Sequence, residues 1–224
     1  MIKNISNLGD AALYCDFGQD VNKETNTKVI KYFKSIQKEN IQGVNNLTPS
    51  YNKLIVSFDL KKTNFKSLKK KIEGLDTLNS NTLSGEKIEI PVCCDENFSL
   101  DIKRLEEKLK IDRENIYKNF FNKNFFCYMT GFIAGMPFLG DLDKTMRVKR
   151  LETPRVKVPK GSVGLTEQFA NIYTFESPGG WNIIGNTPKD IFDSSKEIEP
   201  NLINPGDTIT FIRITKDQYQ NYNE

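Results

Sequence analysis

The sequence predicts an α+β protein in which an N-terminal α/β sandwich precedes a C-terminal β-barrel. Two observations support this class. Short apolar strands alternate with two amphipathic helices as far as residue 92. From Phe125 onward the helical periodicity disappears, and short apolar segments are separated by Gly, Pro and Asn. A chain of 224 residues is long enough for two such domains, which we place at 1–85 and 86–224.

The first domain follows a strand–helix–strand–strand–helix–strand order. Predicted strands cover residues 11–17, 43–47, 53–58 and 86–92. The first helix, 22–40, carries Val29, Phe33 and Ile36 on one face, and the second begins after a Thr63 cap and carries Phe65, Leu68, Ile72 and Leu75. A loop at 75–85 follows. This order is typical of a ferredoxin-like sandwich, with two helices on an antiparallel sheet.

The second domain begins with two short helices, for which Ser99 and Asp112 are the predicted caps. Predicted strands then cover residues 125–132, 155–158, 162–165, 171–175, 181–185 and 207–214. Strands this short and frequent favour a closed or nearly closed barrel. The polar tail 215–224 is expected to be frayed.

The composition excludes several classes of function. The chain contains no histidine, which removes the commonest general base and any Ser-His-Asp triad, and makes a catalytic zinc site unexpected. Its four cysteines form no C-x-x-C motif, so we expect free thiols in a reducing cytoplasm. The first residues show no apolar signal core, and the uncharged segment 125–140 is too short and too rich in Gly and Pro to span a membrane.

Positive charge is concentrated between Lys144 and Lys160, where seven Lys and Arg residues accompany one Glu. Arg155 is the best candidate to hold an anionic group, because its planar fork suits a carboxylate or phosphate. The alternative is a solvated positive loop. Nucleic acid is not expected, since no aromatic residue in this segment is available to stack on bases.

Two glycine-rich motifs are candidate ligand loops: G-F-I-A-G-M-P-F-L-G at 131–140 and S-P-G-G-W at 177–181. Their glycines permit close backbone approach to a ligand. The alternatives are a buried irregular loop and a hairpin turn with Trp181 in the core. Neither motif is a Walker A loop or a dinucleotide fingerprint. The nearby carboxylates of Asp141, Asp143, Glu167 and Glu176 show no acid/base spacing, and Glu176 is the best single candidate for a base.

These motifs, with T-P-R at 153–155, V-P-K-G-S-V-G at 158–164 and N-P-G-D-T-I-T-F at 204–211, resemble a known family along nearly the whole chain. The chain resembles the B-type subunit of 5-oxoprolinase, also called allophanate hydrolase subunit 1 and the inhibitor of the sporulation kinase. The resemblance implies an N-terminal α/β domain and a cyclophilin-like β-barrel.

The resemblance also implies a shared site with a partner that is the C-type subunit of 5-oxoprolinase or an allophanate hydrolase subunit 2-like protein. With an A-type protein as the third component, the complex would use ATP to open 5-oxoproline, and no metal or biotin is expected in this chain. The implied substrate-binding residues are Gly135, Met136, Pro137, Phe138, Arg155, Gly161, Ser162, Ser177, Pro178, Gly179, Gly180, Trp181, Asn119 and Asn186.

The chain departs from the family pattern at polar positions. Asn119 replaces a usual His, Asn186 a usual Arg and Asp141 a common Gly, and E-Q-F-A-N at 167–171 replaces a glycine-rich turn. Filling that turn with Glu167 and Phe169 is expected to narrow the pocket. Two further functions therefore stay open: a non-catalytic inhibitor of a sensor histidine kinase, and a diverged urea or allophanate carboxyltransferase-like subunit.

Overall fold

The computed structural model describes residues 1–75 and 85–222. The chain divides into two compact units between Ser84 and Gly85. Each unit has its own apolar core, so each buries the surface that drives its folding. Within the described residues, no helix has both the length and the apolar character needed to cross a membrane.

The N-terminal unit is an antiparallel four-stranded sheet with two helices. Its elements are β1 (Asn4–Asn7), β2 (Ala12–Asp16), α1 (Lys23–Glu39), β3 (Val44–Pro49), β4 (Lys53–Phe58) and α2 (Phe65–Glu73), and the strand order is β1-β2-β4-β3. Val29 and Ile36 on α1, with Leu68 and Ile72 on α2, are buried in its core. The apolar periodicity of both predicted helices is therefore confirmed.

One strand assignment in this unit was wrong. The segment predicted as its last strand forms β5 (Lys87–Cys93), which belongs to the barrel and pairs in parallel with the final strand. Its place in the sheet is taken by β1, whose sequence N-I-S-N buries only Ile5 and so gives no clear alternation. The cap of α2 was also misplaced by one residue, because the Asn64 side chain, rather than Thr63, accepts from the backbone N–H of Ser67.

The C-terminal unit is a closed seven-stranded barrel, and the predicted α+β class with a barrel is confirmed. Its wall runs in the order β10-β7-β6-β13-β5-β12-β9, while β8 and β11 form a separate two-stranded ribbon. The remaining strands are β6 (Asn124–Thr130), β7 (Pro137–Gly140), β8 (Arg155–Val158), β9 (Ser162–Thr166), β10 (Phe169–Ile172), β11 (Ser177–Gly179), β12 (Asn182–Asn186) and β13 (Thr208–Ile214).

Within the described residues, three α-helices accompany the barrel: α3 (Ile102–Leu109), α4 (Arg113–Phe121) and α5 (Lys216–Gln220), and a short 3-10 helix spans Lys144–Met146. Asp112 caps α4 as predicted, accepting from the N–H of Asn115. Ser99 does not cap α3, since its hydroxyl donates to the carbonyl of Ile184 at 2.8 Å. Part of the tail expected to fray, Lys216–Gln220, instead forms α5, because Thr215 and Gln218 make a reciprocal capping box.

The two faces of the barrel wall have different surroundings. Leu139, Ala170, Val163 and Leu165 contribute to the main core together with residues of α3 and α4. Side chains alternate along a strand, so their neighbours lie on the other face. There Phe138, Asn171, Gly164 and Ile183 stand in register across four adjacent strands. This outer row forms the floor of the candidate site.

Candidate functional site

A second apolar cluster lies on the outer face of the barrel wall. Met136, Val158, Tyr173 and Ile183 are its buried members, and Ile133, Phe138 and Trp181 pack against them. The rings of Phe138 and Trp181 meet edge-on, with centroids 5.6 Å apart. The structure thus brings the 131–140 and 177–181 motifs together in one place, which we call the outer cluster.

The loop between β6 and β7 closes tightly over this cluster. The N–H of Gly131 donates to the carbonyl of Met136 at 3.0 Å, and Pro137 begins β7. Gly135 has φ of 69°, and a Cβ there would lie 2.5 Å from the Phe192 ring, so both backbone and space require glycine. Phe132, at the loop tip, is 76% exposed.

The two glycines of S-P-G-G-W have different surroundings. A side chain at Gly179 would overlap with the buried hydroxyl of Tyr173. At Gly180 a Cβ would instead lie 3.2 Å from Nε and Nη2 of Arg150, the end of a flexible side chain. In β11, which contains Gly179, the Ser177 hydroxyl donates to the backbone carbonyl of Phe175, and Pro178 is exposed. Gly179 is therefore a packing requirement, whereas Gly180 allows close approach of a guanidinium group that could move aside.

Arg155 is held in place by a buried carboxylate. Its Nη2 donates to Oδ1 of Asp101 at 2.5 Å, and Oδ2 of Asp101 accepts from the N–H of Ile183 at 2.7 Å. Asp101 is only 4% exposed, so this charge-assisted pair lies in a low-dielectric setting. The Nη1 atom of Arg155 is buried and makes no hydrogen bond. Arg155 thus ties the start of α3 to the ribbon and keeps one donor unused.

Asn171 and Tyr173 supply the polar groups at the floor of the outer cluster. Asn171 is fully buried, and its Oδ1, which lies against Gly164, has no hydrogen-bond partner. Burial raises the pKa of Tyr173, while the Asn171 side chain, the backbone at Trp181 and two nearby guanidinium groups act in the opposite direction. The phenol therefore stays neutral near pH 7, where it can bind but cannot act as a base.

Three of the remaining predicted residues, Gly161, Ser162 and Asn186, form a second group at the end of the barrel. The Asn186 amide donates to the carbonyl of Lys160 at 2.9 Å and accepts from the Tyr219 hydroxyl at 2.8 Å. Gly161 has φ of 80°, and a Cβ there would lie 2.6 Å from Oδ1 of Asn186. Ser162 stands within 3.5 Å of the Asn186 amide. We call Gly161, Ser162, Asn186 and Tyr219 the barrel-end group.

Asn119 lies on the exposed face of α4, and its side chain makes no hydrogen bond within the described residues. No contact joins it to the outer cluster among those residues. Gly161 and Ser162 are closer, because their backbones pair with that of Tyr173. A substrate-binding role for all four polar candidates, Asn119, Gly161, Ser162 and Asn186, stays a prediction.

The substituted turn at 167–171 is closed by its own residues. Asp141 accepts from the Tyr128 hydroxyl at 2.8 Å and from the Gln168 amide at 3.2 Å. The Phe169 ring packs edge-on against Tyr128, with centroids 5.5 Å apart. Glu167 is exposed and lies outside this packing. The departures at Asp141 and Gln168 thus satisfy one another, and Phe169 packs beside them.

The described part of this unit contains no grouped metal ligands, and its Cys94 and Cys127 thiols have raised pKa values. Among residues 1–75 and 85–222, no three His, Cys, Asp or Glu side chains are grouped to hold a metal ion. Burial raises the pKa of Cys94 to about 12, and it raises the pKa of Cys127 still further. These thiols therefore stay protonated near neutral pH. Glu176, the best sequence candidate for a base, is exposed and paired with Lys157 at 2.9 Å.

With the site described, the comparisons with known proteins decide the family. The family described as carboxyltransferase domain, subdomain C and D, matches residues 3–203. The chain belongs to this family. This chain is 29% identical to the B-type subunit of 5-oxoprolinase from Bacillus subtilis (strain 168), and the match covers 98% of this chain and 96% of that protein. It is 31% identical to the corresponding 5-oxoprolinase subunit from Haemophilus influenzae, over 93% and 97%.

A solved structure shows the same fold within a longer chain. The crystal structure of TTHA0988 matches with a TM-score of 0.82 and 26% sequence identity, over 91% of this chain and 40% of that chain. This chain therefore corresponds to less than half of that protein. Together these matches confirm the resemblance inferred from the motifs.

Three residues of the site were not found from the sequence. Asp101 was assigned no role, Arg150 was noted only as part of a basic segment, and Tyr173 was placed only in a strand. Each acquires its role through a contact with a residue that the sequence pattern does not connect to it: Asp101 with Arg155, Arg150 with Gly180, and Tyr173 with Gly179. No periodicity or spacing signals such contacts. The T-P-R and S-P-G-G-W motifs identified only one residue of each contact: Arg155, Gly180 and Gly179.

Proposed function

We propose that the chain is the B-type component of an ATP-dependent 5-oxoprolinase, which converts 5-oxo-L-proline, ATP and water to L-glutamate, ADP and phosphate. Support comes from similarity over nearly the full length of two proteins named as this 5-oxoprolinase subunit. The observation that carries the proposal is the outer cluster. Its Met136, Phe138 and Trp181 offer apolar walls beside glycine backbone and guanidinium groups, which suits a small ring with a carboxylate.

The outer cluster supplies binding groups but no free general base. Both carboxylate oxygens of Asp101 accept hydrogen bonds, one from Arg155 and one from the backbone. Tyr173 has a raised pKa. Proton transfer at neutral pH needs a group that titrates near that pH and is free to reach the substrate. We therefore assign the acid/base chemistry and the use of ATP to partner proteins, with this chain forming half of a shared site.

An apolar rim beside the outer cluster supports an interface with a C-type 5-oxoprolinase protein. We define this rim as Phe132, Val156 and Phe175, which are 76%, 81% and 43% exposed. Phe132 stands on the loop that closes the cluster, Val156 is on the ribbon strand β8, and Phe175 shortly precedes β11. Exposed apolar side chains grouped around a site are typical of protein–protein contact surfaces.

Co-expression with a C-type protein tests the pairing. We expect the two chains to elute together in gel filtration, and a Phe132→Ser/Val156→Ser double variant to lose most of this association. Ile198→Ser is the matched control, because Ile198 is equally exposed at 82% but lies outside the rim. With an A-type protein added, 5-oxoproline should stimulate ADP release. Separate elution together with no 5-oxoproline-dependent ADP release contradicts the proposal.

A second candidate is a non-catalytic inhibitor of a sensor histidine kinase that acts through the same rim. It is favoured by the internal satisfaction of Asp141, Gln168 and Asn186, the positions that depart from the family pattern. A pulldown tests it. Recovery of a sensor kinase, with inhibition that survives substitution of Arg155, supports this function over the enzyme component, and a ligand-dependent ADP assay distinguishes the two.

A further inference from the structure

Two arginines outside the Arg155 pair contact the segment that follows the ribbon. The Arg150 guanidinium lies beside Gly180, whose carbonyl accepts the N–H of Leu151 at 2.7 Å. Nε of Arg104 donates to Oδ1 of Asn182 at 3.0 Å. The Asn182 amide in turn donates to the carbonyl of residue 149 at 3.1 Å, directly before Arg150. One asparagine thus links the two arginine-bearing segments.

The charges at this place are unbalanced. Asp101 neutralises Arg155 and also accepts a backbone N–H. Neither Arg104 nor Arg150 has a carboxylate within ion-pair distance in the part of the chain that the structure describes. The buried Nη1 of Arg155 adds a donor without an acceptor. A buried donor without an acceptor is costly, so an oxyanion that reached it would be favoured.

Gly180 allows the Arg150 guanidinium to lie directly against the backbone. Its φ is not in the left-handed region that favours glycine, so the backbone alone does not require glycine here. A side chain would instead lie 3.2 Å from the Arg150 guanidinium. The nearby Tyr173 senses the same positive field, because Arg150 and Arg155 both act to lower its pKa against the effect of burial. Close backbone approach, guanidinium donors and a positive field therefore occur at the same place.

We propose that Arg150, supported by Arg104 and by the unused donor of Arg155, forms an oxyanion site beside Gly180 for a carboxylate or phosphate group. The planar guanidinium of Arg150 can bind two oxygens at once. Arg155 and Asp101 act as positioning residues that fix the ribbon against β12. The natural ligand rests on the proposed function: the carboxylate of 5-oxoproline, or a phosphate group that derives from ATP.

Binding is measured on the isolated chain, so failure of the complex to assemble does not affect the result. Thermal unfolding is followed in sodium phosphate and in sodium 5-oxoprolinate, each against sodium chloride at equal ionic strength. At about ten times Kd, a bound anion should raise the Tm by about 4 °C. A shift with phosphate alone assigns the site to a phosphate group, and a shift with 5-oxoprolinate alone assigns it to the substrate carboxylate.

Arg150→Ala should weaken the binding of that anion by about tenfold or more, and Gly180→Ala, which displaces the guanidinium, by about threefold. Lys144→Ala is the matched control, because it removes one positive charge from the same basic segment and should change Kd by less than about twofold. The Tm of each variant without anion reports its folding. No saturable shift with either anion, or equal losses in Arg150→Ala and Lys144→Ala, overturns the proposal.

Discussion

The outer cluster and the barrel-end group contain neighbouring family motifs, but they differ in whether their buried polar atoms are hydrogen-bonded. At the barrel end, both functional ends of the Asn186 amide are hydrogen-bonded, to Lys160 and to Tyr219. Beside the outer cluster, Nη1 of Arg155 and Oδ1 of Asn171 are buried without partners. Folding stability favours satisfied groups, so we infer from these two unsatisfied groups that a ligand binds beside the outer cluster. The satisfied amide of the barrel-end group gives no such indication, and the substrate-binding role of its residues stays a prediction.

The largest expected effect comes from Gly179→Ala, because the new methyl group would overlap with the buried Tyr173 hydroxyl. We expect a loss of about 3 kcal/mol in the free energy of unfolding, measured by urea denaturation. Gly180→Ala meets only a flexible guanidinium end and should cost less than about 1 kcal/mol. Equal losses of stability in the two variants would show that the two glycines do not differ in their packing.

The next effect concerns the ion pair that holds the ribbon. Asp101→Asn keeps an acceptor for the backbone N–H of Ile183 but removes the charge that faces Arg155. We expect a loss of about 2 kcal/mol, because a partly buried guanidinium is left without its counter-charge. The double variant with Arg155→Met should recover part of this loss. A double-mutant cycle with no coupling would contradict the assignment of Arg155 and Asp101 as positioning residues.

A smaller pair of substitutions compares the two regions directly. Tyr219→Phe leaves Oδ1 of Asn186 without its donor and should cost about 1 kcal/mol. Asn171→Leu replaces a buried amide whose oxygen has no partner with an apolar side chain of the same branching, so it should be neutral or slightly stabilising. Urea midpoints at constant m-value measure both. A strongly destabilised Asn171→Leu variant would show that this amide is structural after all.

The fold was predictable where the information is local. The strands at 53–58 and 155–158 were located to the residue, because their ends are set by turn residues beside them. The sheet to which β5 belongs was not predictable, because its partner β13 lies far away in the chain and apolar alternation does not indicate which strand pairs with which. In the site, the glycine motifs located the loops. The pairing of Arg155 with Asp101, and of Arg150 with Gly180, required the folded chain.

The smallest effect is the dependence of stability on alkaline pH. Burial raises the pKa of both Tyr173 and Tyr219 above that of an unfolded tyrosine. Each therefore contributes stability that is present below about pH 10 and is lost as pH rises through its folded pKa. Two guanidinium groups act on Tyr173 in the opposite direction and reduce its contribution. Tyr173→Phe and Tyr219→Phe should each make the free energy of unfolding fall less steeply above about pH 10. An unchanged slope in both variants would exclude these phenols as its source.

The central claim is that the outer cluster, and not the barrel-end group, faces the substrate. Its most direct test is kcat/KM for 5-oxoproline, measured by ADP release from the complex with the C-type and A-type proteins. Arg150→Ala should lower kcat/KM by about tenfold or more, whereas Tyr219→Phe should change it by less than about twofold. Equal effects of the two substitutions, or a loss confined to Tyr219→Phe, would contradict the claim.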